Sequence, residues 1–197
     1  MKLLYTKRSP YARKVRVVAA EKNIQLELLE EDLTKKSKIL TDTNPLGKIP
    51  TLILDNGQTL IDSPVICEYL DTLNDRPILL PRSGAGRFKV LHGQAIADGL
   101  MDTTVALYME KVRHPNDVNA VFVSQQEQSI DRTLKFLELT VSELSEFNLA
   151  SIAAACALGY LQFRLPHLMP SGKYPKLSAW FAEFSKRPSM ATTVPVG

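Results

Sequence analysis

Apolar residues are spaced in two different ways along this chain, and the change falls near residue 80. Before it, short apolar runs alternate with a helical period. Residues 2–5 (KLLY) read as a strand, and after the Ser9-Pro10 loop Val15, Val18 and Ala19 recur at helical spacing over 11–22. Pro10 suits a first helical position, where its missing N–H has no partner to lose. Residues 26–29 supply a second strand, and strand-helix-strand implies a parallel pair. The polar stretch 32–43 separates it from a third strand at 51–54. Asp55-Asn56-Gly57-Gln58 provides tight-turn residues before a fourth strand at 58–61, so the last two strands form a hairpin. Asp62-Ser63-Pro64 then opens a helix with Val65, Ile66, Tyr69, Leu70 and Leu73 on one face.

Beyond this point no alternating pattern survives. Residues 75–87, with Pro77, Pro81, Gly84 and Gly86, read as a connection, and helical stretches follow over 88–113, 119–146, 148–163 and 175–187. Breaks fall at His114-Pro115-Asn116 and over 166–175. The expected organisation is an α/β domain over 1–80, a linker over 81–87 and an all-α helical bundle over 88–197.

Composition adds exclusions. With 45% hydrophobic and 23% charged residues in 197, the chain is of the globular class rather than a disordered or fibrous one. A formal charge of +3 is too mild to indicate nucleic acid by itself. It is unevenly placed: residues 1–48 carry eleven Lys+Arg against six Asp+Glu, whereas 49–197 carry thirteen against fifteen. The first residues lack the apolar core of a secretory signal. The longest uncharged stretch, 147–163, includes Asn148, Ser151, Gly159 and Gln162 and is shorter than the ~20 residues that span a bilayer. It reads as a buried helix, and no membrane partner is expected. Cys67 and Cys156 lie in apolar helical patterns without metal or C-x-x-C spacing, which fits a reducing cytoplasm and no bound metal.

Three loop features carry candidate chemistry. A proline at Ile49-Pro50, just before a core strand, fits a cis bond that turns backbone groups toward an extended peptide; it also fits a trans proline starting a strand. At Asp62-Ser63, a helix N-terminus and a hydroxyl suit a carboxylate while Asp62 suits an ammonium, the two charges of an α-amino acid; simple capping is the other reading. Ser9, at the start of the first helix, is placed either to cap it or to hydrogen-bond an anion such as a thiolate. His92, His114 and His167 all fall in the helical half without a nucleophile motif or metal spacing and read as surface residues. Lys7, Arg8, Arg13, Lys14 and Arg16 lack the interleaved aromatics of a nucleic-acid platform and read as a solvated helix face.

Taken in order, SPYARKV (9–15), NPLGKIPTL (44–52), DSPVICEYL (62–70) and residues 150–158 resemble the cytosolic glutathione transferases, over essentially the whole chain. That resemblance implies a thioredoxin-like N-terminal domain that binds glutathione, a helical C-terminal domain that shapes a hydrophobic co-substrate pocket, and a homodimer. It implies that Pro50 is the cis proline, that Ile49 pairs with the cysteinyl backbone of glutathione, and that Asp62 and Ser63 hold its γ-glutamyl end. Ser9 is then the catalytic residue beside the sulfur. Lys48 is a further ligand contact, and Lys36 is a candidate for the glycyl carboxylate. Ile96, Met101 and Tyr108 are read first as ordinary core residues and second as candidates for contact with a small hydrophobic electrophile, and Asp98 is a candidate for contact with a partner subunit's glutathione. No cofactor other than glutathione as co-substrate is implied.

Two departures qualify it. Thiol-disulfide-exchanging relatives carry cysteine where Ser9 stands, so a mixed disulfide with the chain is not available here. Where relatives start a helix of the bundle with Ser/Thr-x-x-Asp, this chain has Asn148-Leu149-Ala150-Ser151, a weaker capping box. A binding module that holds glutathione or an apolar ligand without turnover shares the same residues, because fold does not decide function.

Overall fold

The computed structural model describes all 197 residues. They form two compact units: Met1–Arg82 together with Pro188–Gly197, and Ser83–Arg187. The tail therefore belongs with the α/β unit rather than with the helices that precede it, unlike the expected 88–197 grouping.

In the first unit, strands β1 (Lys2–Tyr5), β2 (Glu27–Glu30), β3 (Thr51–Ile53) and β4 (Thr59–Leu60) make one sheet in the order β2-β1-β3-β4. β1 pairs parallel with β2 and antiparallel with β3, and β3 pairs antiparallel with β4. The parallel pair and the hairpin match the expectations from pattern. Central position explains the unbroken apolar run of β1, whose Leu3 and Leu4 are both fully buried. Helices α1 (Pro10–Glu21) and α3 (Ser63–Thr72) pack against each other.

A short helix, α2 (Lys38–Thr43), lies inside the stretch expected to be a plain polar connection. Ser37 caps it by accepting from the Leu40 amide at 3.1 Å, and only Leu40 is buried, so the six residues carry almost no apolar period to reveal them. Arg13 and Lys14 are also not on a solvated face: they are 4% and 0% exposed.

The second unit is helical. Its elements are α4 (Gly84–Arg113), α5 (Ala120–Leu139), α6 (Leu149–Arg164) and α7 (Pro175–Phe184), while α8 (Pro188–Ala191) returns to the first unit. α5 ends seven residues before its expected end, and Val141–Leu144 tighten into a 3-10 turn. The Thr140 hydroxyl there bonds the Phe136 carbonyl, the kind of local bond by which Thr and Ser compete with helix continuation. α6 is buried from Leu149 through Leu158 and packs most extensively on α4. The contact is close because Gly93 has no side chain; a Cβ there would stand 2.8 Å from that of Ala150.

At the start of α6 the capping box is complete. Asn148 Oδ1 accepts from the Ala150 and Ser151 amides at 2.9 and 3.2 Å, and Ser151 Oγ accepts from the Asn148 amide at 3.0 Å. Ser151 is fully buried, and its neutral hydroxyl closes the box without a charge. No helix is long and apolar enough to cross a membrane.

Candidate functional site

Sheet register decides where the three loops lie. Ser9 follows the C-terminal end of β1. Because β3 runs antiparallel to β1, with Thr51 opposite Leu4, Ile49-Pro50 enters at that same end. β4 turns back again, with Leu60 opposite Leu52, and so delivers Asp62-Ser63 there as well.

Ser9 is the N-cap of α1, its hydroxyl oxygen accepting from the Ala12 amide at 3.2 Å. The capping reading is thus realised, yet it uses only a lone pair. The O–H remains a donor, beside a helix terminus whose first amides have no intrahelical acceptor.

Ile49-Pro50 is a cis peptide, as is Ile61-Asp62. Asn44, 1% exposed, holds the loop before it: its Nδ2 donates to the Lys48 carbonyl at 2.8 Å and to Thr51 Oγ1 at 3.0 Å, while its Oδ1 accepts from the Leu46 amide at 2.9 Å. Asn-Pro favours such a side-chain-closed turn, and that dipeptide is the local signal for this buried pin. Gly47 adopts φ +55°, and a Cβ there would lie 3.1 Å from Lys36 Nζ, which puts that ammonium over the loop. Lys48 is exposed, Ile49 half-buried and Pro50 buried.

Asp62 precedes α3 but makes no side-chain capping bond. Its exposed carboxylate differs in this from Ser9 and from Asn148. Ser63 is 2% exposed, and Pro64, lacking an N–H, leaves the Ser63 and Val65 amides as the unpaired donors of that first turn.

The remaining candidates scatter. Met101 is fully buried, which fits the reading of it as an ordinary core residue. Ile96 and Tyr108 are partly exposed, and Tyr108 accepts from Arg164 Nη1 at 3.3 Å. Asp98 is half-buried. The three histidines are exposed, His92 lying edge-on to Phe136. No group of three or more His, Cys, Asp or Glu is arranged to hold a metal ion.

The two halves of the sequence each match a family model: Glutathione S-transferase, N-terminal domain, over residues 8–73, and Glutathione S-transferase, C-terminal domain, over 118–183. An uncharacterized GST-like protein of Escherichia coli K12, YibF, is 35% identical over 168 residues, 83% of each chain. Among solved structures, a glutathione S-transferase from Methylobacillus flagellatus KT with glutathione bound is 40% identical and superposes with a TM-score of 0.94 over 99% of both chains. A glutathione transferase family member from Pseudomonas fluorescens Pf-5, with bound S-(propanoic acid)-glutathione, is 42% identical with a TM-score of 0.91 over 100% of both. With both domains matched in order and whole-length likeness to solved members, the chain belongs to the glutathione S-transferase family.

Proposed function

We propose that this chain is a glutathione transferase that binds glutathione at the shared sheet end and conjugates its sulfur to a small hydrophobic electrophile. The observation that carries the reading is the strand register, which gathers Ser9, Ile49-Pro50 and Asp62-Ser63 at that end. Asp62, free of capping duty, answers the ligand's α-ammonium, and Ser63 with the α3 amides answers its α-carboxylate. Ile49 offers backbone pairing to the cysteinyl residue, and Lys36 and Lys48 lie beside it as cations for the glycyl end. Ser9 donates to the sulfur. This hydrogen bond and the α1 terminus favour thiolate over thiol, and each unit by which the thiol pKa falls is worth about 1.4 kcal/mol. The thiolate then forms a carbon–sulfur bond: in a substitution the leaving group departs with its bonding pair, and in a conjugate addition the carbon–carbon π pair moves to give an enolate that takes up a proton from water. Bound glutathione and an S-substituted glutathione in the two solved relatives support both ends of this scheme. In keeping with the family, we assign the working form to a cytoplasmic homodimer.

The test is glutathione binding by calorimetry together with conjugation of an activated chloroarene and a panel of unsaturated carbonyl compounds. Binding with turnover is expected, and Asp62→Asn should weaken glutathione affinity about tenfold, the loss of one charge-assisted contact. Binding with no turnover on any electrophile would replace the transferase with a binding module.

A further inference from the structure

The segment Pro188–Gly197 is remote from α1 in sequence but is bonded to it toward both of its ends. At the C-terminal end of α1, Ser189 Oγ donates to Glu21 Oε1 at 2.5 Å. One turn from the other end, the Arg13 guanidinium donates to the Met190 carbonyl at 3.1 Å and to Thr193 Oγ1 at 3.4 Å. Thr193 in turn donates to the Ser189 carbonyl at 2.7 Å, which closes this part of the tail on itself. Beyond the α1 N-terminus the tail reaches Arg8: a Cβ added to Gly197 would lie 3.4 Å from Arg8 Cδ.

Both contacts at this end fall on residues tied to Ser9 through the backbone. Arg8 is its neighbour in the chain. Arg13 shares its hydrogen-bonded turn, since the Arg13 amide donates to the Ser9 carbonyl at 3.0 Å while the Ala12 amide donates to the Ser9 hydroxyl. Arg13 and Thr193 are 4% and 5% exposed, so their bond is shielded from water. A planar guanidinium held at two of its N–H groups fixes direction as well as distance, which a lysine or an apolar side chain does not do.

We infer that Arg13 and Thr193 are positioning residues for Ser9. The tail grips the first turn of α1 through them and so sets where the Ser9 hydroxyl and the neighbouring amides point. Its catalytic consequence rests on the proposed transferase reading; its structural content does not. Loosening the grip lets Ser9 depart from the sulfur, so thiolate formation suffers while Asp62, Ser63 and Ile49, on other loops, still hold glutathione.

Two measurements on Arg13→Gln, Thr193→Val and Arg13→Lys decide it. Hydrogen exchange at the amides of residues 12 and 13 should quicken about tenfold in Arg13→Gln and Thr193→Val, because the turn opens locally. Thiolate absorbance of bound glutathione against pH should show the thiol pKa raised by about half to one unit, a three- to tenfold loss of thiolate below the pKa, with glutathione affinity within about twofold of the parent. Arg13→Lys should recover part of both. Variants that melt earlier but keep parental exchange at residues 12 and 13 and parental thiol titration would overturn the inference, leaving the tail a structural element only. A parental protein that binds glutathione with an unshifted thiol would sink the transferase reading instead, and the exchange data would still judge the grip on Ser9. Thr193→Val removes one hydroxyl from the tail and keeps the test available if the Arg13 variants do not fold.

Discussion

The Ser9 oxygen accepts from the Ala12 amide while its O–H is left to donate, so the capping task and the proposed catalytic one fall on one side chain. The two tasks separate by substitution. Ser9→Ala should cost about 1 kcal/mol of stability through the lost cap, and about 100-fold in kcat through the lost donor to the sulfur. Ser9→Thr keeps both groups and should hold the melting temperature and much of the activity. Conjugation kinetics beside thermal melts check this, and Ser9→Ala with parental kcat would remove the hydroxyl from the mechanism. At this scale the candidate site was legible because its residue types are rare in combination: a serine before a proline, a proline before a core strand, an acid-serine pair at a helix start. The buried cations were not. Arg13 and Lys14 read as part of a solvated helix face, since nothing local tells that an acceptor waits in a distant segment.

Among the elements, α7 illustrates how a helix is held from outside. Its N-cap residue, Tyr174, makes no side-chain cap, and the Glu138 carboxylate of α5 accepts instead from the Lys176 and Leu177 amides at 3.1 and 2.7 Å. Glu138→Ala should cost about 1 kcal/mol and expose those two amides to exchange, whereas Glu138→Gln should cost less because an acceptor remains. Nearby, Asp131 of α5 is held well below the usual carboxylate range by Lys135, then Lys173 and Tyr174. A depressed carboxyl stabilises the fold at every pH above its unfolded value, near 3.9, and loses that contribution as pH falls below it. Asp131→Asn should therefore destabilise by about 1 kcal/mol at neutral pH, with the gap to the parent narrowing steadily as pH falls below about 4; a gap unchanged on acidification would deny the ion network its role. Periodicity located the long helices but not such ties, and it overran α5 because 140–146 keeps helical apolar spacing while Thr140 and Ser142 turn the backbone. α2 escaped for the opposite reason, its single buried residue being too few to show a period.

Over the whole molecule, the positive excess of residues 1–48 looks different once burial is known. Three of its eleven cations, Arg13, Lys14 and Lys22, are inside, so less of the charge is available to attract an anionic peptide than a count suggests. Lys22 has a structural use. Fully buried, its three N–H donors are shared among four acceptors: Asp71 Oδ1 and the Asp71 carbonyl, both at 3.0 Å, and the carbonyls of Asn74 and Pro77, both at 2.7 Å. Asp71 also accepts from the Leu79 and Leu80 amides at 2.9 and 3.0 Å. One ion pair thus joins the end of α1, the end of α3 and the segment that closes the first unit. Removing one member leaves the other charge buried, so Lys22→Met should cost about 3–5 kcal/mol and Asp71→Asn about 2–3 kcal/mol. Because each single change already breaks the shared bond, the double variant should fall short of the sum by about 1–3 kcal/mol. Urea unfolding followed by Trp180, the chain's one tryptophan and a residue of the helical unit, and by circular dichroism separates the units if they unfold in turn. The loss should then fall on the transition that Trp180 does not report, and additive or negligible losses would mean that the first unit is held by its sheet and apolar core without this pair.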